Sequence, residues 1–491
     1  MHRQECVRET GLAAGIVNLR CKFPGEQGLL FQGLSLSVSQ GEKVLLLGAS
    51  GSGKSTLLQI LSGIIPHAVE MPMKCDDILV PKRAGIVFQD PDAQFCMSHT
   101  DEEIAFVLEN RNVPREQMAA RIGLALQQVG LAFEGHRAPI QSLSQGMKQR
   151  LAIASILALE PDVLFMDEPT ALLDGEGTSQ VWDTVKRIAH NKTLIIVEHK
   201  IDEIVDWVDR IVVLSPEGQV AADGPAAQIF AEQRDLLRSY GIWYPGVWEE
   251  QGQQAGSAAE PEPAVRQRLR EEPVLELRDV IGWRGSTEVI RVNKLEVRPG
   301  DWIGVVGANG AGKSSLLLSM MHILKTTGDY RVMGKPAGTT QQLAERMAFV
   351  FQNPEFQFVT NSVVDEVEFS LLGTAMSPAE RQANTLGMLE EFGLAAWADR
   401  HPYQLSMGQK RRLSVASALI RGQRILLLDE PTFGQDARNT FAMLSRLEEL
   451  RRKGTAIVMV THDSEIVSRY CTRTWKVDGG RVMDAAVFSP S

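Results

Sequence analysis

Cysteine is scarce in this chain, with five in 491 residues, at positions 6, 21, 75, 96 and 471. They are scattered, odd in number and without the spacing of paired metal ligands, so neither a disulfide framework nor a zinc site is expected, and reduced thiols in a cytosol fit better. Long hydrophobic runs are also missing. No apolar stretch reaches the roughly 18 residues that a membrane-spanning helix needs. The longest, such as Val44–Leu47 and Ile425–Leu428, have the length of buried strands. The opening residues Met1-His2-Arg3-Gln4-Glu5-Cys6 carry no apolar segment of the kind that leads a secretory signal, so none is expected. An excess of positive charge is absent too. Lys and Arg number 51 against 61 Asp and Glu, a net charge of −10, which argues against a surface built to grip nucleic acid. What remains, 44% hydrophobic and 23% charged, is a globular composition, and the length suits two or three domains.

The chain repeats itself with a period near 260 residues. Gly48-Ala49-Ser50-Gly51-Ser52-Gly53-Lys54-Ser55-Thr56 returns as Gly307-Ala308-Asn309-Gly310-Ala311-Gly312-Lys313-Ser314-Ser315. Val87-Phe88-Gln89-Asp90-Pro91 returns as Val350-Phe351-Gln352-Asn353-Pro354, and Leu143-Ser144-Gln145-Gly146 as Leu405-Ser406-Met407-Gly408. Asp167-Glu168-Pro169-Thr170 returns as Asp429-Glu430-Pro431-Thr432, and His199 as His462. The order is the same in both halves and the offset stays between 259 and 263, which marks a duplicated domain.

Residues 249–272, rich in Gln, Gly, Ala, Glu and Pro, read as a flexible linker between halves at 1–248 and 273–491. Such a linker would average on the order of 27 Å end to end, enough to let two domains pair within one chain. Within each half, short apolar runs such as Lys43–Leu47, Val163–Met166 and Thr193–Val197 alternate with helical stretches. This predicts an α/β fold with a mostly parallel core sheet covered on both faces. The segment from about 100 to 158 has helical periodicity without strands and is expected to be an inserted helical subdomain.

The pattern G-x-x-x-x-G-K-[ST] lets successive backbone N–H groups close around phosphate oxygens at a helix N-terminus, where a Cβ would block the approach. Gly48, Ser50, Gly51 and Gly53, with Gly307, Asn309, Gly310 and Gly312, are the loop positions. Lys54 and Lys313 are placed to reach the β- and γ-phosphates of ATP, with Thr56 and Ser315 beside them, and Ser55 and Ser314 to put a hydroxyl on Mg²⁺. An acidic residue ending a buried strand should supply the second metal contact, since the cation offsets the cost of a carboxylate near the core. Asp167 and Asp429 each end an apolar run, 113 and 116 residues after their lysines. The next residues, Glu168 and Glu430, are candidate general bases for the water that attacks the γ-phosphate.

With these motifs in place, the whole chain resembles a fused pair of ABC-type nucleotide-binding domains, that is, two tandem P-loop ATPases. The resemblance implies head-to-tail halves with composite ATP sites. Ser144 and Gly146 of one signature would contact the γ-phosphate held by Lys313, and Ser406 and Gly408 that held by Lys54. It implies that Gln89 and Gln352 sense Mg²⁺ and the attacking water, that His199 and His462 are switch histidines on the γ-phosphate, and that Asp174 and Asp436 link the sites. Phe23 and Trp283 would stack on adenine. The chain departs from the usual Leu-Ser-Gly-Gly-Gln signature at Gln145 and Met147 in the first half and at Met407 in the second, which keeps Gln409. One reading is drift at positions facing away from the nucleotide. The other is unequal sites, the one with Lys313 and Met147 being slower.

Phe88–Phe95 and Phe351–Phe358 share F-Q-[DN]-P-x-x-Q-F, each followed by an acidic helix start. This is similar to the ATPases of energy-coupling-factor importers for cobalt and vitamins, with Gln94 and Gln357 as markers of a short helix, and Val197-Glu198-His199-Lys200 also fits that group. The resemblance implies a transmembrane coupling protein and a small substrate-binding membrane protein as partners. The ATPase would then be peripheral at the cytoplasmic face of the cell membrane. Thiamine or hydroxymethylpyrimidine is the substrate that resemblance indicates. The alternatives are a double ATPase of sugar or nucleoside import, which lacks the F-Q-x-P-x-x-Q feature, and a soluble ABC protein acting on ribosomes. The latter is disfavoured by a linker with six Glu against three Arg.

Overall fold

Val44, Leu45, Leu46 and Leu47 are all buried in the strand Lys43–Gly48, as an apolar run in a doubly covered parallel sheet must be. The computed structural model describes residues 11–26, 28–171, 173–254 and 272–485. The chain divides into two compact units, one of Met1–Val247 with Asp436–Arg438 and one of Trp248–Gln435 with Asn439–Ser491.

In the first unit a six-stranded sheet runs, in spatial order, Val220–Pro225, Arg210–Leu214, Lys43–Gly48, Thr193–Val197, Val163–Asp167 and Ala84–Val87. All neighbours are parallel except the first pair. Every residue of Val163–Asp167 and of Thr193–Val197 is buried. A separate four-stranded antiparallel sheet is built on Leu12–Cys21 and Phe31–Ser39. Leu34, Leu36 and Val38 from it meet Leu46, Leu57, Phe165 and Ile195 in one hydrophobic core. Between the strands Ala84–Val87 and Val163–Asp167 lie the helices Thr100–Asn110, Arg115–Gln128 and Gln145–Ala158, with no named strand among them, as the periodicity predicts. The helix Gly175–Ile188 buries Val181, Trp182 and Val185 and turns its charged residues outward.

The second unit repeats this plan with one difference. Its antiparallel strands join the core sheet through Thr287–Val297, which pairs in parallel with Arg481–Ala485, so ten strands form one sheet. Trp302–Val306, Ala456–Val460, Ile425–Asp429 and Met347–Val350 form its parallel centre. Val363–Phe369, Pro378–Glu391 and Met407–Leu419 are its inserted helices.

The linker expected over 249–272 falls mostly outside the described residues. Its first six residues, 249–254, instead complete a helix Val247–Gln254. The reason is local packing, because the Trp248 ring stands edge-on to Phe441 at 4.8 Å and lies under the Arg469 guanidinium.

Candidate functional site

In an open parallel sheet the carboxyl ends of the strands come to one edge, which is where ligands bind. In the first unit, Leu46 and Asp167 are each register partners of Val197, which brings the phosphate loop, the Asp-Glu pair and His199 to that edge. In the second unit Val305 and Asp429 both pair with Val460, and the same three elements converge.

The two phosphate loops fold alike. Gly53 and Gly312 begin their helices at φ +90° and +111°, a backbone region that glycine enters without strain. Gly51 and Gly310, also at positive φ, have nothing within 4 Å of where a Cβ would stand, so the mouth of each loop is an open cradle. The Lys54 Nζ donates to the carbonyls of Gly48 at 2.8 Å and Ala49 at 3.0 Å, and that of Lys313 to Gly307 and Ala308 at the same distances. Both lysines are buried, and burial lowers the Lys54 ammonium from its ordinary value against the pull of Glu168 and Asp167. Ser50, Thr56, Asn309 and Ser315 lie in or directly after the loops.

Beneath each loop sits a serine–aspartate pair. The Ser55 hydroxyl donates to Asp167 Oδ1 at 2.8 Å, and the Ser314 hydroxyl is hydrogen-bonded to the Asp429 carboxylate. Burial pushes both carboxyls up to about 6. The Asp429 Oδ1 is buried with no hydrogen-bond partner among the described residues, an orphan acceptor of the kind a cation satisfies. A hard divalent cation bound through one carboxylate, one hydroxyl and phosphate oxygens fits this donor set.

Glu168 and Glu430 adopt φ +48° and +55°, unusual for a residue with a Cβ, so each carboxylate is held in a strained backbone that its surroundings must pin. The pins are visible. Glu168 N–H donates to Val197 O at 2.8 Å and Glu430 N–H to Val460 O at 3.1 Å. The His199 Nε2 stands 3.0 Å from Glu168 Oε1, and His462 Nε2 stands 3.0 Å from Glu430 Oε1. Burial by itself would raise the Glu168 carboxyl, but His199 and Lys54 outweigh it and hold it below the usual range. Gln89 Nε2 donates to Glu168 Oε2 at 2.8 Å. Gln352 is exposed, and among the described residues no hydrogen bond links it to Glu430.

The family-inferred residues fall at defined places. Ser144 and Ser406 are the N-caps of Gln145–Ala158 and Met407–Leu419, with Gly146 and Gly408 in the first turns. Asp174 caps Gly175–Ile188 by accepting from the Gly177 N–H at 2.8 Å, and Asp436 immediately precedes Ala437–Arg452. Phe23 is 47% exposed on a loop, whereas Trp283 is half-buried with its Nε1 donating to Thr327 Oγ1 at 3.4 Å. Gln94 and Gln357 each follow a three-residue helical turn and reach the helix that begins at the signature. Gln94 donates to Ala152 O at 3.3 Å, and Gln357 both donates to Ser414 O at 2.9 Å and accepts from Ser414 Oγ at 2.7 Å. Two further features belong to the site. Gln409 completes a capping box with Ser406, its Oε1 accepting the Ser406 N–H at 2.9 Å, and the spacing S-x-x-Q announces it. Glu198, beside the switch histidine, is 2% exposed and bonded across the site, and no local pattern announces that.

The family model described as "ABC transporter" matches residues 31–171 and again 290–433. The chain belongs to the ABC transporter family. It is an ATP-hydrolysing enzyme with two tandem copies of the family's α/β ATPase domain. It is 36% identical to a Bacillus subtilis (strain 168) protein named for HMP/thiamine import, the ATP-binding protein YkoD, over 93% of this chain and 88% of that one. It is 33% identical to an ABC transporter ATP-binding protein of Methanosarcina mazei over 94% of this chain and 86% of the relative. Among solved structures, the complex of an archaeal ribosome recycling factor, aABCE1, with the stalk protein aP1 matches at a TM-score of 0.64. That match covers 95% of this chain and 89% of that one, and its 20% identity speaks to the fold alone. Among the described residues no helix is long and apolar enough to cross a membrane.

Proposed function

We propose that this ABC ATPase energises a membrane importer of the energy-coupling-factor type, whose cargo is a vitamin, a vitamin precursor or a metal ion, with thiamine or hydroxymethylpyrimidine the favoured chemistry. The observation that carries the reading is the likeness, over 93% of the chain, to the relative named for HMP/thiamine import. The F-Q-[DN]-P-x-x-Q-F words in both halves support the importer type.

In this reading Lys54 and Lys313 hold the β- and γ-phosphates of ATP, and the loop amides cradle them. Ser55 with Asp167, and Ser314 with Asp429, hold Mg²⁺, which when bound neutralises phosphate charge. Glu168 and Glu430 take the proton from the attacking water, and the paired histidines keep each glutamate aimed and reach the γ-phosphate. Gln89 and Gln352 orient the water. Ser144 with Gly146, and Ser406 with Gly408, complete each other half's site, so that ATP draws the halves together and hydrolysis releases them. A transmembrane coupling protein and a small substrate-binding protein receive that movement, and the ATPase sits peripherally at the cytoplasmic face.

The test is to tag the Glu168→Gln/Glu430→Gln chain, solubilise native membranes gently and identify what co-purifies. One multi-helix membrane protein with one small hydrophobic protein is the expected result, and the ligand of the small protein names the cargo. Recovery of ribosomes, or of nothing from membranes, contradicts the importer reading.

A further inference from the structure

The strand Thr193–Val197 delivers Glu198 and His199 to the site side by side. His199 points to Glu168, while Glu198 turns into the protein and is 2% exposed. A buried carboxylate is expensive unless its oxygens are satisfied, and here both are. Oε2 accepts from the Thr170 hydroxyl at 2.8 Å, and Oε1 accepts from the backbone N–H groups of His199 at 2.9 Å and Lys200 at 3.4 Å. Thr170, itself 1% exposed, lies two residues beyond Glu168 in the turn that holds that residue at positive φ. One side chain therefore bolts the turn of the switch histidine to the turn of the candidate base. Among the described residues the second unit has no counterpart of this bolt. Thr461 occupies the place before His462, and its hydroxyl accepts from the Asp463 N–H at 3.1 Å, within its own turn. There the histidine turn is steadied by Asp463, which caps the helix Ser464–Tyr470, whereas the first unit has only turns over 202–207.

We propose that Glu198 is a positioning residue of the first ATP site alone, tying the His199 turn to the Glu168 turn so that base and switch histidine move as one block. The inference rests on the roles assigned above to Glu168 and His199. It makes the two sites mechanically unlike: in the first, displacing the histidine carries the base with it, while in the second the histidine turn can shift against Glu430. A misplacement of about 1 Å in such a pair can cost ~100-fold in rate at the affected site.

The test uses the purified full chain and compares ATP turnover for Glu198→Ala, Glu198→Thr and Glu198→Gln with wild type. Alanine removes the bolt. Threonine installs what the second unit has, too short to span from the histidine turn to Thr170. Glutamine keeps it, because its carbonyl still accepts from the His199 N–H and the Thr170 hydroxyl can rotate to accept from its amide. The expected result is a kcat about twofold lower for Ala and Thr, the loss that silencing one of two equal, independent sites gives, with KM for ATP moved less than about twofold. Gln should stay near wild type. If Ala does not fold, as judged by thermal unfolding, Thr and Gln still decide. Wild-type kcat in Thr, or a Gln variant as slow as Thr, overturns the proposal. A Glu168→Gln chain that turns over like wild type would instead overturn the role of Glu168, and this proposal with it. The two failures are told apart by which variant is silent.

Discussion

The Nε2 of His199 lies 3.0 Å from the Oε1 of Glu168, and the same 3.0 Å separates His462 from Glu430 in the other unit. Duplication has preserved this pair together with the left-handed backbone of both glutamates, although that conformation costs of order 1–3 kcal/mol. The histidine gives the strained carboxylate its aim. Replacing either histidine by alanine should therefore lower turnover more than it lowers ATP affinity, the signature of an interaction that matters after binding. Steady-state kinetics with each variant checks this, and an unchanged kcat with a raised KM contradicts it.

The phosphate-loop lysines should behave in the opposite way. Lys54 and Lys313 are seated on their own loop carbonyls, and in the proposed function each ammonium holds phosphate from there. A hydrogen bond to a charged group is worth about 1.5–3 kcal/mol, so Lys54→Ala or Lys313→Ala should weaken ATP binding at that site roughly 10- to 100-fold. Titration with a fluorescent ATP analogue reads this directly, and unaltered affinity contradicts the placement.

Burial raises the Glu198 carboxyl from its ordinary 4.5 to about 7, with Glu168 adding to the rise and His199 opposing it. The folded chain then keeps a proton that the unfolded chain has released, so this residue's contribution to stability is full below 4.5 and is lost as pH climbs to about 7. Glu198→Gln cannot titrate there. The melting temperature of the Gln variant should therefore gain on wild type as pH rises from 5 to ~7.5 and level off beyond. The raised Asp167 and Asp429 carboxyls are common to both proteins and cancel in the comparison. A melting difference that is flat across this range contradicts the assignment.

The signature helices differ in their caps. Ser406 and Gln409 form a full capping box, while Ser144 has only its own hydroxyl, accepting from the Met147 N–H at 3.3 Å. Gln409→Met should cost about 0.5 kcal/mol, and Met147→Gln should return about as much. Urea unfolding midpoints test both, and no movement in either direction contradicts the account.

Much of this architecture is legible in the sequence because repetition and burial leave local marks. Runs such as Val163–Met166 and Ile425–Leu428 announce strands buried on both faces, and G-x-x-x-x-G-K-[ST] announces the turn that follows one. The strandless helical segment was equally visible from its period. What stayed hidden depends on partners distant in the chain. The tie from Glu198 to Thr170 spans 28 residues, and the bond from Gln89 to Glu168 spans 79, and neither leaves a local pattern. The helix Val247–Gln254 runs on into what composition alone reads as linker, because Phe441 and Arg469, far along the chain, pack on Trp248. The Met147/Gln409 difference is readable as a capping box, since S-x-x-Q is present in the second signature and absent from the first. Its visible effect is on a helix terminus.

The most direct test of the central claim compares ATP hydrolysis and ATP binding by wild type, Glu168→Gln, Glu430→Gln and the double variant of the purified chain. If these glutamates are the general bases, the double variant should hydrolyse at least about 100-fold more slowly than wild type while still binding ATP, since proton transfer contributes on that order. A double variant that hydrolyses ATP at the wild-type rate would contradict the account.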